Sequence, residues 1–259
     1  MKPFIFHYAD IYIPSFFFMT MIGSLAAAFY ASWFAKHHDG DPVIMLDFGI
    51  IGIIAGVLGA RIFHILIENP KYYFEDPIRV FYFWQGGFVS LGAFVFSALT
   101  WILYLHVRKF PVLKHFDHIT LSVPIIIFFV RLGCLLAGCC YGKPTDFFLH
   151  LIFTDPSSAA GKLHSGEALH ATQVYFMLNA VVMFIVLHLT YRYRRFQGQV
   201  LTTFLIYYGI TRFLIEFLRG DADRGVYFDG MISTGQIVMV ISFGVGIFLW
   251  KYLKKRFPV

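Results

Sequence analysis

Seven apolar runs, each about the length that crosses a bilayer, leave this chain little choice of architecture. They cover about 12–35, 43–67, 86–107, 117–139, 171–191, 199–218 and 231–250. A hydrocarbon core about 30 Å thick needs roughly 20 apolar residues of helix. Backbone N–H and C=O groups find no water there, so each run must pair its own backbone as a helix. The expected fold is therefore all-α, a polytopic membrane protein with seven transmembrane helices. Composition agrees: 58% of the residues are hydrophobic and only 14% charged, against about 25% charged in a soluble domain. No repeat, low-complexity stretch or soluble module breaks the pattern, which reads as one integral membrane domain over 1–259. The first run is long enough to span, unlike the apolar core of a cleaved signal peptide. Residues 68–85, beginning Glu68-Asn69-Pro70-Lys71-Tyr72-Tyr73, read as an amphipathic, aromatic surface segment. Residues 140–170 form the longest loop, rich in Gly, Ser and Pro.

Basic residues in the connections set the orientation. One side carries Lys36, then Arg108, Lys109 and Lys114, then Arg192, Arg194 and Arg195, then Lys251, Lys254, Lys255 and Arg256. The other carries Lys2, Lys71, Arg79, Lys143, Lys162, Arg219 and Arg224, several of them mixed with acids. The first side, denser by eleven to seven, is predicted to be cytoplasmic. That puts the N-terminus and the 140–170 loop outside and the C-terminus inside. The net charge of +6 is spread through these clusters, which suits orientation and lipid headgroups. No nucleic-acid partner is expected.

Three arginines remain inside the apolar runs: Arg61, Arg131 and Arg212. An arginine at that depth costs roughly 2.5–3.5 kcal/mol on insertion scales and calls for a partner. Arg131 opens Arg131-Leu132-Gly133-Cys134, which runs through Gly138-Cys139-Cys140-Tyr141-Gly142-Lys143-Pro144 and holds every cysteine of the chain. Further on, Tyr208, Arg212, Glu216 and Arg219 are spaced four, four and three apart, so a helix puts them on one face. That face is either an internal salt bridge that helps the helix pack, or a polar wall for an anion. Guanidinium forks fit phosphate well, and the anion available at that depth is a phospholipid phosphate. Arg61 fits a snorkelling role, its stem in lipid and its head in water.

Three cysteines within seven residues, without an adjacent histidine, match a four-ligand zinc site poorly, so no metal is expected. Cys139 and Cys140 are chain neighbours, a poor geometry for a structural disulfide. Cys134 reads as a small packing residue, and a reactive thiol near Arg131 is the other possibility. Thr172 fits a helix cap, and His170 before it is either an interfacial residue or a base.

Five separated segments resemble the bacterial prolipoprotein diacylglyceryl transferase family. They are Gly59-Ala60-Arg61; Trp84-Gln85-Gly86-Gly87 with Ser90; Arg131-Leu132-Gly133 through Gly138 to Tyr141-Gly142-Lys143; His170-Ala171-Thr172-Gln173-Val174-Tyr175; and Tyr208-Gly209 through Arg212, Glu216 and Arg219. They occur in family order across most of the chain. The resemblance implies a multi-pass enzyme of the bacterial inner membrane, with its site toward the periplasm. It implies transfer of a diacylglyceryl group from phosphatidylglycerol to the lipobox cysteine of a lipoprotein precursor, with loss of glycerol phosphate. It implies a phospholipid site of Arg131, Arg212, Arg219, Tyr208, Gly133, Gly142 and Gln173, and no cofactor.

The chain departs from the family pattern at several places. A family histidine shortly after the Gly-Gly pair is Leu91 here. Cys134, Ala137 and Cys139 stand where the family has asparagines and a glutamate, and a first-span tyrosine is Phe16. The catalytic set then consists of Glu216 as an orienter of arginine, with His170 or a thiolate of Cys139 or Cys140 as base or nucleophile. A phospholipid-using transferase with another acceptor, or a non-catalytic lipid-binding protein, are the alternatives. Arg212→Ala is expected to damage function more than Arg61→Ala.

Overall fold

The computed structural model describes all residues except 1, 9–10, 39, 83–86, 222–224, 228–231 and 259. The Trp84-Gln85-Gly86 part of one motif and Arg224 of the charge pattern lie outside the described residues. In chain order the elements are β1 (Phe4–Tyr8), β2 (Ile11–Pro14), α1 (Ser15–His37), α2 (Pro42–Phe63), α3 (Pro70–Glu75), α4 (Ser90–Val107), α5 (Val112–Thr120) and α6 (Val123–Ala137). There follow β3 (His150–Ile152), α7 (Ala159–Leu163), β4 (Ala168–His170), α8 (Thr172–Arg192), α9 (Gln199–Glu216), β5 (Val226–Tyr227), β6 (Ile232–Ser233) and α10 (Thr234–Arg256). Among the described residues five helical segments are long and apolar enough to cross a membrane: Ser15–His37, Pro42–Ile67, Val112–Ala137, Thr172–Arg192 and Thr234–Arg256. The protein is a helical, multi-pass membrane protein. α4 and α9 occupy the two other expected spans and are shorter, 18 residues each. The strands pair only as three antiparallel hairpins, β1–β2, β3–β4 and β5–β6. At two to five residues they are too short for alternation to reveal in sequence.

Local chemistry sets the helix ends. Asp41 starts α2 by accepting from the backbone N–H groups of Val43 (2.8 Å) and Ile44 (3.4 Å), with Pro42 in the first turn. Ser233 and Gln236 close a reciprocal capping box on α10. Gly138 ends α6 in the left-handed region, at φ 65°, which costs a glycine nothing.

The chain forms two compact units, Ala31–His115 and the remainder. In the smaller unit α2 packs on α4. Ser97 Oγ donates to Gly52 C=O (3.0 Å), Trp101 Nε1 donates to Phe48 C=O (3.1 Å), and the Tyr104 hydroxyl donates to Asp47. Arg61 does not snorkel: it is 3% exposed. Its guanidinium donates to the carbonyls of Arg79 (2.7 Å), Val80 (3.2 Å), Tyr82 (3.2 Å) and Gly87 (3.3 Å), and lies over the Tyr73 ring at 5.2 Å. The described part of the surface segment, through Tyr73 and residues 79–82, is thereby folded around a cation.

In the larger unit α6 packs on α8, α8 on α9 and α9 on α10. The buried Asp117 accepts from the N–H groups of Gly198 (2.8 Å), Val200 (3.0 Å) and Leu201 (3.1 Å) at the start of α9. A carboxylate there satisfies orphan donors and opposes the helix dipole. Asn179 on α8 donates to Thr211 (3.1 Å) and accepts from Tyr207 (3.0 Å), which ties α8 to α9 inside the apolar zone. The 140–170 loop is ordered by β3–β4, with His150 opposite His170, and by a small core of Tyr141, Phe153, Ala160 and Leu169.

Candidate active site

Three helices of the larger unit bring Arg131 and Arg212 together. Arg131 sits on α6, Arg212 on α9, and Phe176 of α8 stands between them, fully buried. The Arg131 guanidinium carbon lies 4.1 Å from the centroid of the Phe176 ring, and that of Arg212 lies 4.9 Å from the same centroid. A ring face offers a cation weak electrostatic attraction and shields it from nothing. Holding two guanidinium groups on one phenyl therefore leaves their mutual repulsion largely standing.

Part of that charge is answered. Glu216, 2% exposed, accepts from Arg212 Nη1 and from Arg219 Nη1 (3.4 Å), and its other oxygen accepts from Ser233 Oγ (3.0 Å). Arg219 also forks onto Asp221, its Nε donating at 2.9 Å. Burial works against the Arg219 guanidinium, but the Asp221 hydrogen bond, the nearby Cys140 thiol and the Asp221 charge together raise its pKa. Arg131 is different. Among the described residues no carboxylate pairs with it, and its only close contact of this kind is the Phe176 ring. Among the described residues three guanidinium groups thus face two carboxylates, and the surplus charge sits on Arg131. Tyr208 stacks on Phe204 one turn before Arg212, with ring centroids 5.5 Å apart.

The residues after α6 form a tight turn. Gly138 and then Cys140, at φ 57°, both lie in the left-handed region. Glycine adopts it freely, whereas cysteine does so at a cost. α8 clamps this turn from the side: Thr172 Oγ donates to Cys140 C=O (2.7 Å), and Gln173 Nε2 donates to Cys139 C=O (2.8 Å). Thr172 is therefore no cap. It is the first residue of α8, after Ala171 as N-cap, and its hydroxyl is spent on the neighbouring turn. Gln173 is fully buried, and its Oε1 has no hydrogen-bond partner. The thiol sulfurs of Cys134, Cys139 and Cys140 lie within 4.8 Å of one another. The chain then passes between two neighbours. Lys143 N–H donates to Leu218 C=O (2.9 Å), Gly220 N–H to Tyr141 C=O (3.0 Å) and His170 N–H to Lys143 C=O (2.9 Å). A Cβ on Gly142 would collide with the His170 Cβ and carbonyl oxygen, so only glycine fits between β4 and the Arg219 segment.

His170 Nδ1 lies 3.2 Å from the Tyr175 hydroxyl, which donates its own proton to Leu149 C=O (2.7 Å). Nδ1 must then carry the imidazole proton, which leaves Nε2 as the acceptor nitrogen. Gly133 packs against Phe16 and Met19 of α1. The structure thus gathers Arg131, Arg212, Glu216 and Arg219 into one charged group. It gathers the cysteines with Gln173 into a second, and puts Gly133 and Gly142 where backbone approaches closely. Phe176 carried no polar signal in the sequence; only its place one turn after Thr172 on α8 hinted at it.

Comparison with known proteins shows which family the chain is similar to. A family model described as prolipoprotein diacylglyceryl transferase matches residues 3–252. Similar proteins include the phosphatidylglycerol–prolipoprotein diacylglyceryl transferases of Clostridium tetani, Hydrogenovibrio crunogenus and Verminephrobacter eiseniae. The first is 32% identical over 250 residues, 96% of this chain and 97% of the relative. The second is 30% identical over 253 residues, 96% and 91% of the two chains. The third is 33% identical over 218 residues, 82% and 75%.

Proposed function

The chain belongs to the prolipoprotein diacylglyceryl transferase family, and on that premise we propose that it transfers a diacylglyceryl group from phosphatidylglycerol to the lipobox cysteine of prolipoproteins. The observation that carries the proposal to individual residues is Arg131, a cation that no described carboxylate answers, held with Arg212 against Phe176. That is the electrostatic complement of a lipid phosphate. Charge builds on the phosphate as the bond to the glyceryl carbon breaks. Fixed guanidinium groups in a water-poor site stabilise it without reorganising. Arg131 and Arg212 bind the phosphate, and Arg219, paired with Asp221, holds Glu216 beside them. Glu216 holds Arg212 and Arg219 in place and does not touch substrate. Tyr208, Gly142 and Gln173 shape the headgroup region, and His170 is available as a proton acceptor through Nε2.

The test uses purified chain in detergent with phosphatidylglycerol and a peptide bearing a lipobox cysteine. The expected result is a peptide heavier by one diacylglyceryl group and an equivalent of glycerol phosphate. Headgroup release without peptide modification would point instead to another acceptor, and phospholipid binding without any release to a protein that has lost the chemistry.

The same reading places seven helices across the inner membrane, α4 and α9 included, with the N-terminus and the 140–170 loop periplasmic. The basic clusters at Arg108–Lys109, Arg192–Arg195 and Lys251–Arg256 support it. Reporter fusions after Lys109 and after Lys255 should be active only as cytoplasmic reporters. A periplasmic signal from either overturns the orientation.

A further inference from the structure

We propose that Cys134, Cys139 and Cys140 hold one divalent cation of the zinc class as three thiolates, with a fourth position open to the acceptor thiol. The use of that position in turnover rests on the transferase reading above; the metal site itself does not.

Spacing alone argued against a metal, and the fold reverses that argument. Cys134 lies in the last turn of α6. The left-handed pair Gly138 and Cys140 folds the chain back so that all three sulfurs lie within 4.8 Å of one another. Thiolates at about 2.3 Å from one zinc ion stand about 3.8 Å apart in a tetrahedron, so side-chain rotation closes the set. A cysteine at φ 57° is strained, and strain of this kind persists where the surroundings enforce it. Here the enforcing contacts are the α8 hydrogen bonds to the carbonyls of Cys139 and Cys140. Cys134 is buried while Cys139 and Cys140 are partly exposed, so one side of the cluster is accessible. Two further observations point to a missing occupant. The buried Gln173 Oε1 beside this turn accepts nothing. Arg131 has no carboxylate partner among the described residues and stands one helical turn from Cys134, on the same face of α6. A cation with three thiolates is anionic overall, and gains a further negative charge when a fourth thiolate binds. Arg131 answers that charge as well as the phosphate.

The site supplies a means of deprotonating the acceptor besides His170, where Leu91 offers none. A thiol that binds such a cation gives up its proton outright, here to water at the open side. Three protein ligands with one open position is the pattern of reactive zinc sites. The cluster also lies next to the arginine pair. Thr172 and Gln173, which hold the cysteine turn, precede Phe176 on α8 by four and three residues and share its face. In the step, the acceptor sulfur forms a bond to the glyceryl carbon of the lipid, and the bond from that carbon to the phosphate oxygen breaks. The electron pair leaves on the phosphate, glycerol phosphate departs, and neither carbon nor metal changes oxidation state through an outside oxidant.

Cobalt(II) is the probe for the full-length chain, purified in detergent under reducing conditions. One equivalent should bind with a thiolate-to-cobalt charge-transfer band, and zinc should displace it. Adding the lipobox peptide should shift the spectrum. Cys139→Ser should weaken binding by at least about 100-fold, the upper end of what loss of an outer-shell group costs. Chelator-treated wild type, which needs no substitution, should lose transfer and regain it with zinc. Absence of the band in wild type, an unchanged band in Cys139→Ser, or a disulfide among these cysteines in chain taken from the membrane each overturns the site. Full transfer by metal-free chain overturns its role while leaving the transferase reading intact. A bound metal with no transfer under any condition sinks that reading and keeps the site.

Discussion

Arg131→Ala is expected to lower kcat/KM for diacylglyceryl transfer by about 10²–10³-fold, the scale of losing one fixed donor to a developing anion, while leaving the melting temperature in detergent unchanged or higher. The two halves of that expectation have one cause. Arg131 has no acidic partner among the described residues and contacts the face of Phe176. Its removal strands no described carboxylate and, in metal-free chain, relieves an intramembrane cation that is costly to keep. Arg131→Lys keeps the charge and loses the planar fork, so it should recover part of the activity. Transfer assays beside thermal melts of the three proteins decide the matter. If activity and melting temperature fall together in Arg131→Ala, the residue is a packing element and the phosphate assignment fails.

For Arg61→Ala the expected pattern is the opposite: a loss of about 3–5 kcal/mol in stability, at the upper end for a single substitution, with little change in turnover per folded molecule. Arg61 donates to four backbone carbonyls and stacks on Tyr73 while nearly fully buried. Charge-assisted hydrogen bonds contribute roughly 1.5–3 kcal/mol each. They do not add fully, because some of the freed carbonyls would reach water. Arg212→Ala, which removes a phosphate ligand and frees Glu216, should therefore damage turnover per folded molecule more than Arg61→Ala. Folded yield, the melting temperature and activity normalised to folded protein separate the two effects. A wild-type melting temperature for Arg61→Ala would show that the carbonyl cage carries no weight.

Arg61 and Arg131 also mark the limit of reading this chain without coordinates. Both are single arginines in apolar runs, and nothing in the flanking residues separates a structural clamp from an uncompensated charge. The distinction rests on segments distant in the chain. For Arg61 these are the carbonyls of Arg79, Val80, Tyr82 and Gly87. For Arg131 it is Phe176, with no carboxylate pairing with it among the described residues. Glu216 is intermediate. Its spacing from Arg212 and Arg219 on one helix made their contact legible, because three- and four-residue neighbours on a helix must meet. Its bond to Ser233 comes from another element and had no local sign.

The placement of the helices, the basic connections and the candidate cations followed from sequence alone. In a bilayer each span must satisfy its own backbone, so length and hydropathy decide where the helices lie. Tertiary structure alone decided which cation stays unanswered and whether three neighbouring cysteines point apart or together. Those outcomes depend on how α6, α8 and α9 face one another and on a left-handed turn clamped by Thr172 and Gln173. Such contacts join residues far apart in the chain, and a local pattern of apolar and polar residues carries no record of them.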